Sequence, residues 1–167
     1  MATGTLDAAR ELAAAVPDPE MPMLTLDDLG VLREVRSDAD GTVVVTITPT
    51  YSGCPAMAEI RADITRTLRR GGYPQVRVDT VLTPAWSSDW ITEEGRQKLR
   101  EHGYSPPGPA PRRGPVFVAL APALRTVVCP RCDSPDTQRI SEFGATACKA
   151  LYRCRTCQEP FDHVKEI

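Results

Sequence analysis

Two cysteine pairs limit what this chain can become more than any other feature. Cys129-Pro-Arg-Cys132 and Cys154-Arg-Thr-Cys157 stand about twenty residues apart near the end of a 167-residue sequence. Two residues between the members of each pair let a tight turn aim both sulfurs at one point. Two such knuckles can close a tetrahedral shell of four thiolates, as in zinc ribbons. The stretches 137–143 and 149–153 read as strands of a hairpin, with Gly144 near its turn. A module of about forty residues cannot bury a sufficient core by itself, so metal binding and folding should be coupled. Zinc is the first choice of metal, because its closed thiolate sites are tetrahedral; an iron–sulfur centre uses the same ligands. Cys148 lies outside both pairs. It reads first as a small core residue, and otherwise as an alternate or transient ligand.

Composition matters here for what it removes. The formal net charge is −2 and the pI is near 5.7, so no phosphate-binding surface is indicated. The tail carries Arg131, Arg139, Lys149, Arg153 and Arg155, but acids are interspersed among them. No nucleic-acid partner is expected. No apolar run is long enough to cross a bilayer, and the first residues lack the basic and apolar regions of a secretory signal. A cytoplasmic location is therefore expected. There, cysteines point to metal or thiol chemistry before disulfides.

The earlier part of the chain reads as an α+β domain. Leu6, Ala9, Leu12, Ala13 and Val16 recur at helical spacing behind Thr5, a candidate N-cap. Three prolines in Pro17-Asp-Pro-Glu-Met-Pro22 favour a stiff extended segment. Residues 24–29 could make one helical turn. Residues 31–36 and 42–48 read as strands joined by the turn Asp38-Ala-Asp-Gly41. From Pro55 the apolar residues Met57, Ile60, Ile64 and Leu68 predict a helix that ends at Gly71-Gly72. Residues 76–82 form a third strand. Strand, helix, strand in this order predicts a parallel crossover, hence a small mixed three-stranded sheet. A last helix is expected over about 93–101, after a connection holding Trp86 and Trp90, which read as core caps.

Between that second strand and its helix lies Cys54, followed by Pro55 at the expected first helical position. A thiol there faces the positive end of a helix, which favours the thiolate. The residues alone leave two readings level, a reactive thiol and a small side chain that fills space behind the turn. His102 and His163 read as solvated or helix-terminal side chains before ligands, with His163, near the second knuckle in sequence, kept as a minor ligand candidate.

Tyr104 to Pro115 is dominated by proline and glycine and reads as an extended linker. Three regions follow: an α/β domain over 1–104, a linker with a short apolar strand (116–120) over 105–125, and the Cys₄ module over 126–167.

Asp18-Pro-Glu-Met-Pro22, Asp28-Leu-Gly30, the strand ending in Thr48, and Gly53-Cys-Pro55 resemble the MIP18 (DUF59) domain. Thr83-Pro-Ala-Trp86 and Gly95-Arg96 fit the same pattern. The likeness spans roughly residues 5 to 104. The tail from Cys129 to Phe161, with residues 140–152 inside it, is similar to the PaaD (PaaJ) family of the bacterial phenylacetate pathway. The resemblance implies an accessory or maturation subunit of the multicomponent oxygenase that epoxidises the ring of phenylacetyl-CoA. Its implied task is assembly or delivery of an iron–sulfur cluster to the flavin-containing reductase component. Partners would be those oxygenase components and the iron–sulfur assembly machinery. It also marks Cys54 as the reactive thiol or transient cluster ligand, and Asp18 and Glu20 as its acidic neighbours.

Other readings compete. The chain could be an integral electron-transfer or structural component of the oxygenase. It could be a thioester hydrolase with Cys54 as nucleophile, but no histidine lies near that turn and carboxylates are poor bases for a thiol. No catalytic activity of the isolated chain is expected. A three-stranded sheet with exposed edges also invites pairing with a second copy.

Overall fold

A computed structural model of the chain describes residues 5–51, 53–111 and 126–167. It divides into two compact units, Met1–Gly95 and Arg96–Ile167.

In the first unit, α1 spans Leu6–Ala14, and the Thr5 hydroxyl accepts the Ala8 amide at 3.3 Å. Its Ala9 and Ala13 face inward and are fully buried. The proline segment, expected to be extended throughout, is so only at Pro17 and Asp18; from Pro19 it bends, held by the Asp18 carboxylate, and folds back on itself. Pro17 bridges Thr25, and the Leu26 amide donates to the Val16 carbonyl at 2.9 Å. The expected helical turn at 24–29 is a single turn: the Leu29 amide reaches the Thr25 carbonyl at 3.1 Å, and Gly30 with φ 65° ends it.

Strands β1 (Leu32–Ser37) and β2 (Val43–Ile47) pair antiparallel across the Asp38–Gly41 turn. Helix α2 (Met57–Arg70) crosses over to β3 (Val76–Thr80), which pairs parallel with β2. The sheet order is β1-β2-β3, mixed in sense. Central β2 is the most buried, with Val44, Val45 and Ile47 fully inside. Ile60, Ile64 and Leu68 give α2 a continuous buried stripe, each contributing roughly 2 kcal/mol by removal from water. Trp86 is buried and its Nε1–H donates to the Leu29 carbonyl at 2.8 Å, in line with a core role. Trp90 instead lies under the Arg33 guanidinium, 3.9 Å from the ring centre. Helix α3 (Glu93–Glu101) carries the boundary between the units.

The second unit holds β4 (Thr137–Ser141), β5 (Lys149–Cys154) and β6 (Pro160–Val164) in an antiparallel meander. The sequence predicts a two-stranded hairpin, so β6 is an addition. Its opening proline masks it, although proline is tolerated at the first position of a strand. The outer side of β6 is covered by the start of the proline-rich stretch. The Ser105 amide donates to the Asp162 carbonyl at 2.9 Å, and the Ser105 carbonyl accepts from Val164 at 3.0 Å. Val127, Cys129, Cys154 and Phe161 form the small core, with Tyr152 packed against it. The strand expected at 116–120 lies outside the described residues.

Candidate functional site

The two knuckles share one backbone design. In each, the first cysteine's amide donates to the carbonyl five residues on, Cys129 to Ser134 and Cys154 to Glu159, both at 3.0 Å. In each, the residue after the second cysteine is left-handed, Asp133 at φ 56° and Gln158 at φ 66°. That reversal turns the chain away once both sulfurs point inward.

Their four Sγ atoms lie within 4.8 Å of one another. Across the knuckles, Cys129 and Cys157 are 3.8 Å apart and Cys132 and Cys154 are 3.6 Å apart. None of the six cysteines is in a disulfide. A tetrahedron with metal–sulfur bonds of about 2.3 Å has sulfur–sulfur edges of about 3.8 Å, so the donor set fits such an ion. Cys129 and Cys154 are buried, while Cys132 and Cys157 are exposed. The Cys157 amide donates to the Cys154 sulfur at 3.4 Å and holds that thiol down at about 6. At Cys132 the Ser134 amide pulls downward, but desolvation and the neighbouring thiols push it up to about 12. Cys154 is thus the thiol most ready to ligate, and a metal ion entering the set must displace the proton of Cys132. Cys148 is not in this set; it is buried, with Thr146 Oγ1 3.1 Å from its sulfur.

Cys54 sits in the turn that follows β2 and is half-buried. Helix α2 begins at Met57 with Ala56 as its N-cap, later than expected. Pro55 and Ala56 form a turn, tied by the Cys54 amide to the Tyr51 carbonyl at 3.3 Å and the Met57 amide to the Cys54 carbonyl at 3.4 Å. Proline cannot donate, and this turn absorbs it ahead of the first helical hydrogen bonds. Asp18 is buried, and its Oδ1 accepts the amides of Glu20 and Met21 at 2.9 and 2.8 Å. That carboxylate shapes its own loop. Among the described residues no second group of three metal-ligating side chains converges, so Cys54, Asp18 and Glu20 do not form one. At the carboxyl end of β2, Thr48 is buried and its hydroxyl has no hydrogen-bond partner among the described residues. A buried hydroxyl left unpaired costs about 1–3 kcal/mol. The sequence marks Thr48 only as the end of a strand that carries part of the family likeness, and gives no sign of its unpaired hydroxyl.

Residues 114–165 match the model of the PaaD zinc beta ribbon domain, and residues 7–83 match that of iron–sulfur cluster assembly proteins. An Escherichia coli protein, named as a subunit of a "Putative 1,2-phenylacetyl-CoA epoxidase", is 47% identical over 93% of this chain and 90% of its own. The chain belongs to the PaaD family. Its first part is also similar to the Fe-S protein maturation auxiliary factor of Porphyromonas gingivalis, 36% identical over 50% of this chain and 80% of that one. A DUF59 domain of Bacillus anthracis shares the fold with a TM-score of 0.52 and 27% identity, over 56% of this chain and 90% of that one. A PaaD chain thus joins a DUF59 fold to a metal-binding ribbon, as its residues suggest.

His163 departs from its expected place in this PaaD chain. It is buried on β6, with Nδ1 3.2 Å from the Ser105 carbonyl and Nε2 3.5 Å from the Glu166 carboxylate. A strand unseen in the sequence made its histidine look solvated. His102 does close a helix, with Nδ1 2.8 Å from the Lys98 carbonyl at the end of α3. Among the described residues no helix is long and apolar enough to cross a membrane.

Proposed function

We propose that this chain is a cytoplasmic accessory subunit that helps assemble or deliver an iron–sulfur cluster to the oxygenase system that epoxidises phenylacetyl-CoA. Its most direct client would be the iron–sulfur flavin reductase, with the assembly machinery as donor. Cys129, Cys132, Cys154 and Cys157 hold zinc and fold the ribbon. Cys54 is the exchangeable ligand for the cluster, which is cargo.

The observation that carries this reading is the division of labour between two thiol sites. One is a closed set of four sulfurs within 4.8 Å. The other is a single half-buried thiol on a turn at the carboxyl end of a strand, where ligands gather in folds with parallel strands. A lone thiolate cannot keep a cluster, so it suits transfer; the client or a second copy supplies the remaining ligands. Similarity to an epoxidase subunit over almost the whole chain, and to a maturation factor over the first half, supports the pairing of pathway with task. Asp18 acts through the shape of its loop, and Glu20 has no assigned chemical step. The isolated chain has no catalytic activity in this reading.

The test is Cys54→Ser, expressed together with the reductase. The variant should fold normally and leave the reductase short of its cluster. Full cluster occupancy would sink the proposal. A second reading, an electron-transfer component, would need iron and sulfide in the Cys₄ site. Zinc in a colourless protein, purified without oxygen, would exclude it.

A further inference from the structure

Charge in the first unit is distributed very unevenly. Residues 1–95 contain fifteen Asp and Glu against eight Arg and no Lys. Four of those arginines, Arg61, Arg66, Arg69 and Arg70, lie in the last ten residues of α2, which contain one acid, Asp63. The buried stripe of α2 is Ile60, Ile64 and Leu68, and the arginines occupy the opposite, solvent-facing side. Two ridges at four-residue spacing result, Arg61-Thr65-Arg69 and Ala62-Arg66-Arg70. Between them runs an open groove of about 560 Å³ lined by those six residues.

Of the four arginines elsewhere in the unit, Arg10 stands alone on α1 and the other three are used locally. Arg36 and Arg77 pair with Asp38, Arg77 also pairs with Asp79, and Arg33 stacks on Trp90. On α2, Arg66 pairs with Asp63 and Arg61 donates to the Thr80 hydroxyl at 2.6 Å. Arg69 and Arg70 make no ion pair among the described residues. The helix dipole accounts for cations in the last turn, but not for Arg61 and Arg66 or for the groove.

We propose that this face of α2 docks an acidic helical segment of a partner protein. The guanidinium groups spread over nine residue steps, about 13 Å along the axis. That is too long for one phosphate and matches carboxylates on successive turns of a facing helix. Guanidinium forks take carboxylates two bonds at a time. A long polyanion such as nucleic acid would also meet the acidic remainder of the unit and be repelled. The surface is independent of the chemistry assigned to Cys54, so either reading can fail without the other.

The test uses the full chain and a fluorescein-labelled helical peptide of roughly four turns, with glutamates at four-residue spacing. Anisotropy is read at about 0.01 M and about 0.15 M salt. The expected result is saturable binding that weakens at least about tenfold in the higher salt. Amide shifts should centre on residues 61–70. R61E/R69E should lose at least about tenfold in affinity, Arg70→Ala should lose less, and R36E should bind as wild type. Circular dichroism melts report whether each variant is folded. Several outcomes would overturn the proposal. They are no peptide binding, equal binding of a peptide with the same glutamates scrambled, unchanged binding by R61E/R69E, or saturable inorganic phosphate binding at residues 61–70 without peptide binding.

Discussion

Asp28 and Thr92, far apart in sequence, are tied through both backbone and side chain. The Asp28 carbonyl accepts the Thr92 amide at 2.9 Å, and the Thr92 hydroxyl lies 3.5 Å from the Asp28 carboxylate. That hydroxyl also accepts the Gly95 amide at 3.0 Å and so caps the start of α3. The other Asp28 oxygen accepts the Thr25 amide at 2.8 Å. One acid thereby fixes a loop and the entry of a helix. Asp28-Leu-Gly30 and Gly95, which carry part of the family likeness, act here through packing.

The first prediction follows from the closeness of that packing. A Cβ on Gly30 would lie 2.6 Å from Trp90 Cβ and 2.7 Å from its carbonyl oxygen, at a φ of 65°. A Cβ on Gly95 would lie 2.9 Å from the Asp28 carbonyl oxygen. Gly30→Ala combines a backbone clash with an unfavourable φ and should cost about 2–4 kcal/mol. Gly95→Ala should cost less, about 1–3 kcal/mol. Denaturant melts followed by tryptophan fluorescence would measure both. Wild-type stability in Gly30→Ala would mean that Trp90 can move aside without loss.

Metal removal should separate the two units. The ribbon core is small, so a bound metal should supply most of its folding free energy, about 10–16 kcal/mol in comparable zinc peptides. Chelation, or Cys132→Ser, should collapse the amide dispersion of β4, β5 and β6 while the signals of β1, β2 and β3 persist. Heteronuclear NMR reads both at once. A ribbon that stays dispersed after full metal loss would refute the coupling.

Elements whose pattern is local were legible in the sequence, and those specified by distant partners were not. Ile60, Ile64 and Leu68 announce α2, and the crossover order announces that β2 and β3 run parallel. The knuckle spacing announces the metal set. By contrast, β6 begins at a proline, and the pairing of Ser105 with β6 is set by a strand that the local pattern does not show. Burial of His163 depends on both, so its environment could not be read from its neighbours in sequence. Helix α2 starts at Met57, later than its sequence predicts, because Pro55, of a type common at first helical positions, sits in a preceding turn.

Glu166 should make the ribbon acid-sensitive. His163 beside its carboxylate, helped by the Gly108 amide at 3.0 Å, holds the group down at about 2 from an ordinary 4.5. A carboxylate whose folded pKa is depressed stabilises the fold above its unfolded value and loses that contribution as pH falls through the folded one. Its contribution should therefore be complete above about pH 4.5 and fade toward about pH 2. Metal release in acid overlaps this window, so the informative quantity is the difference between wild type and Glu166→Gln. That difference should shrink steadily as pH falls below about 4.5. A difference independent of pH would show that the His163 contact does not act through charge.

The left-handed residues after the knuckles give the sharpest test of the metal site without touching a ligand. Gln158 holds φ 66°, a region that costs an ordinary L-residue about 1–2 kcal/mol and a β-branched one more. Its side-chain Nε2 donates to the Arg155 carbonyl at 2.6 Å, which offsets part of that cost. Gln158→Val adds a branch at Cβ and removes this bond together. With folding and metal binding coupled as proposed, the penalty should appear as weaker metal affinity, about tenfold for each 1.4 kcal/mol. Gln158→Gly loses the same bond but relieves the backbone, so it should stay near wild type. Competition with a chromophoric chelator would order the three proteins. Equal affinity in Gln158→Val and Gln158→Gly would show that the second knuckle can close without a left-handed residue after Cys157.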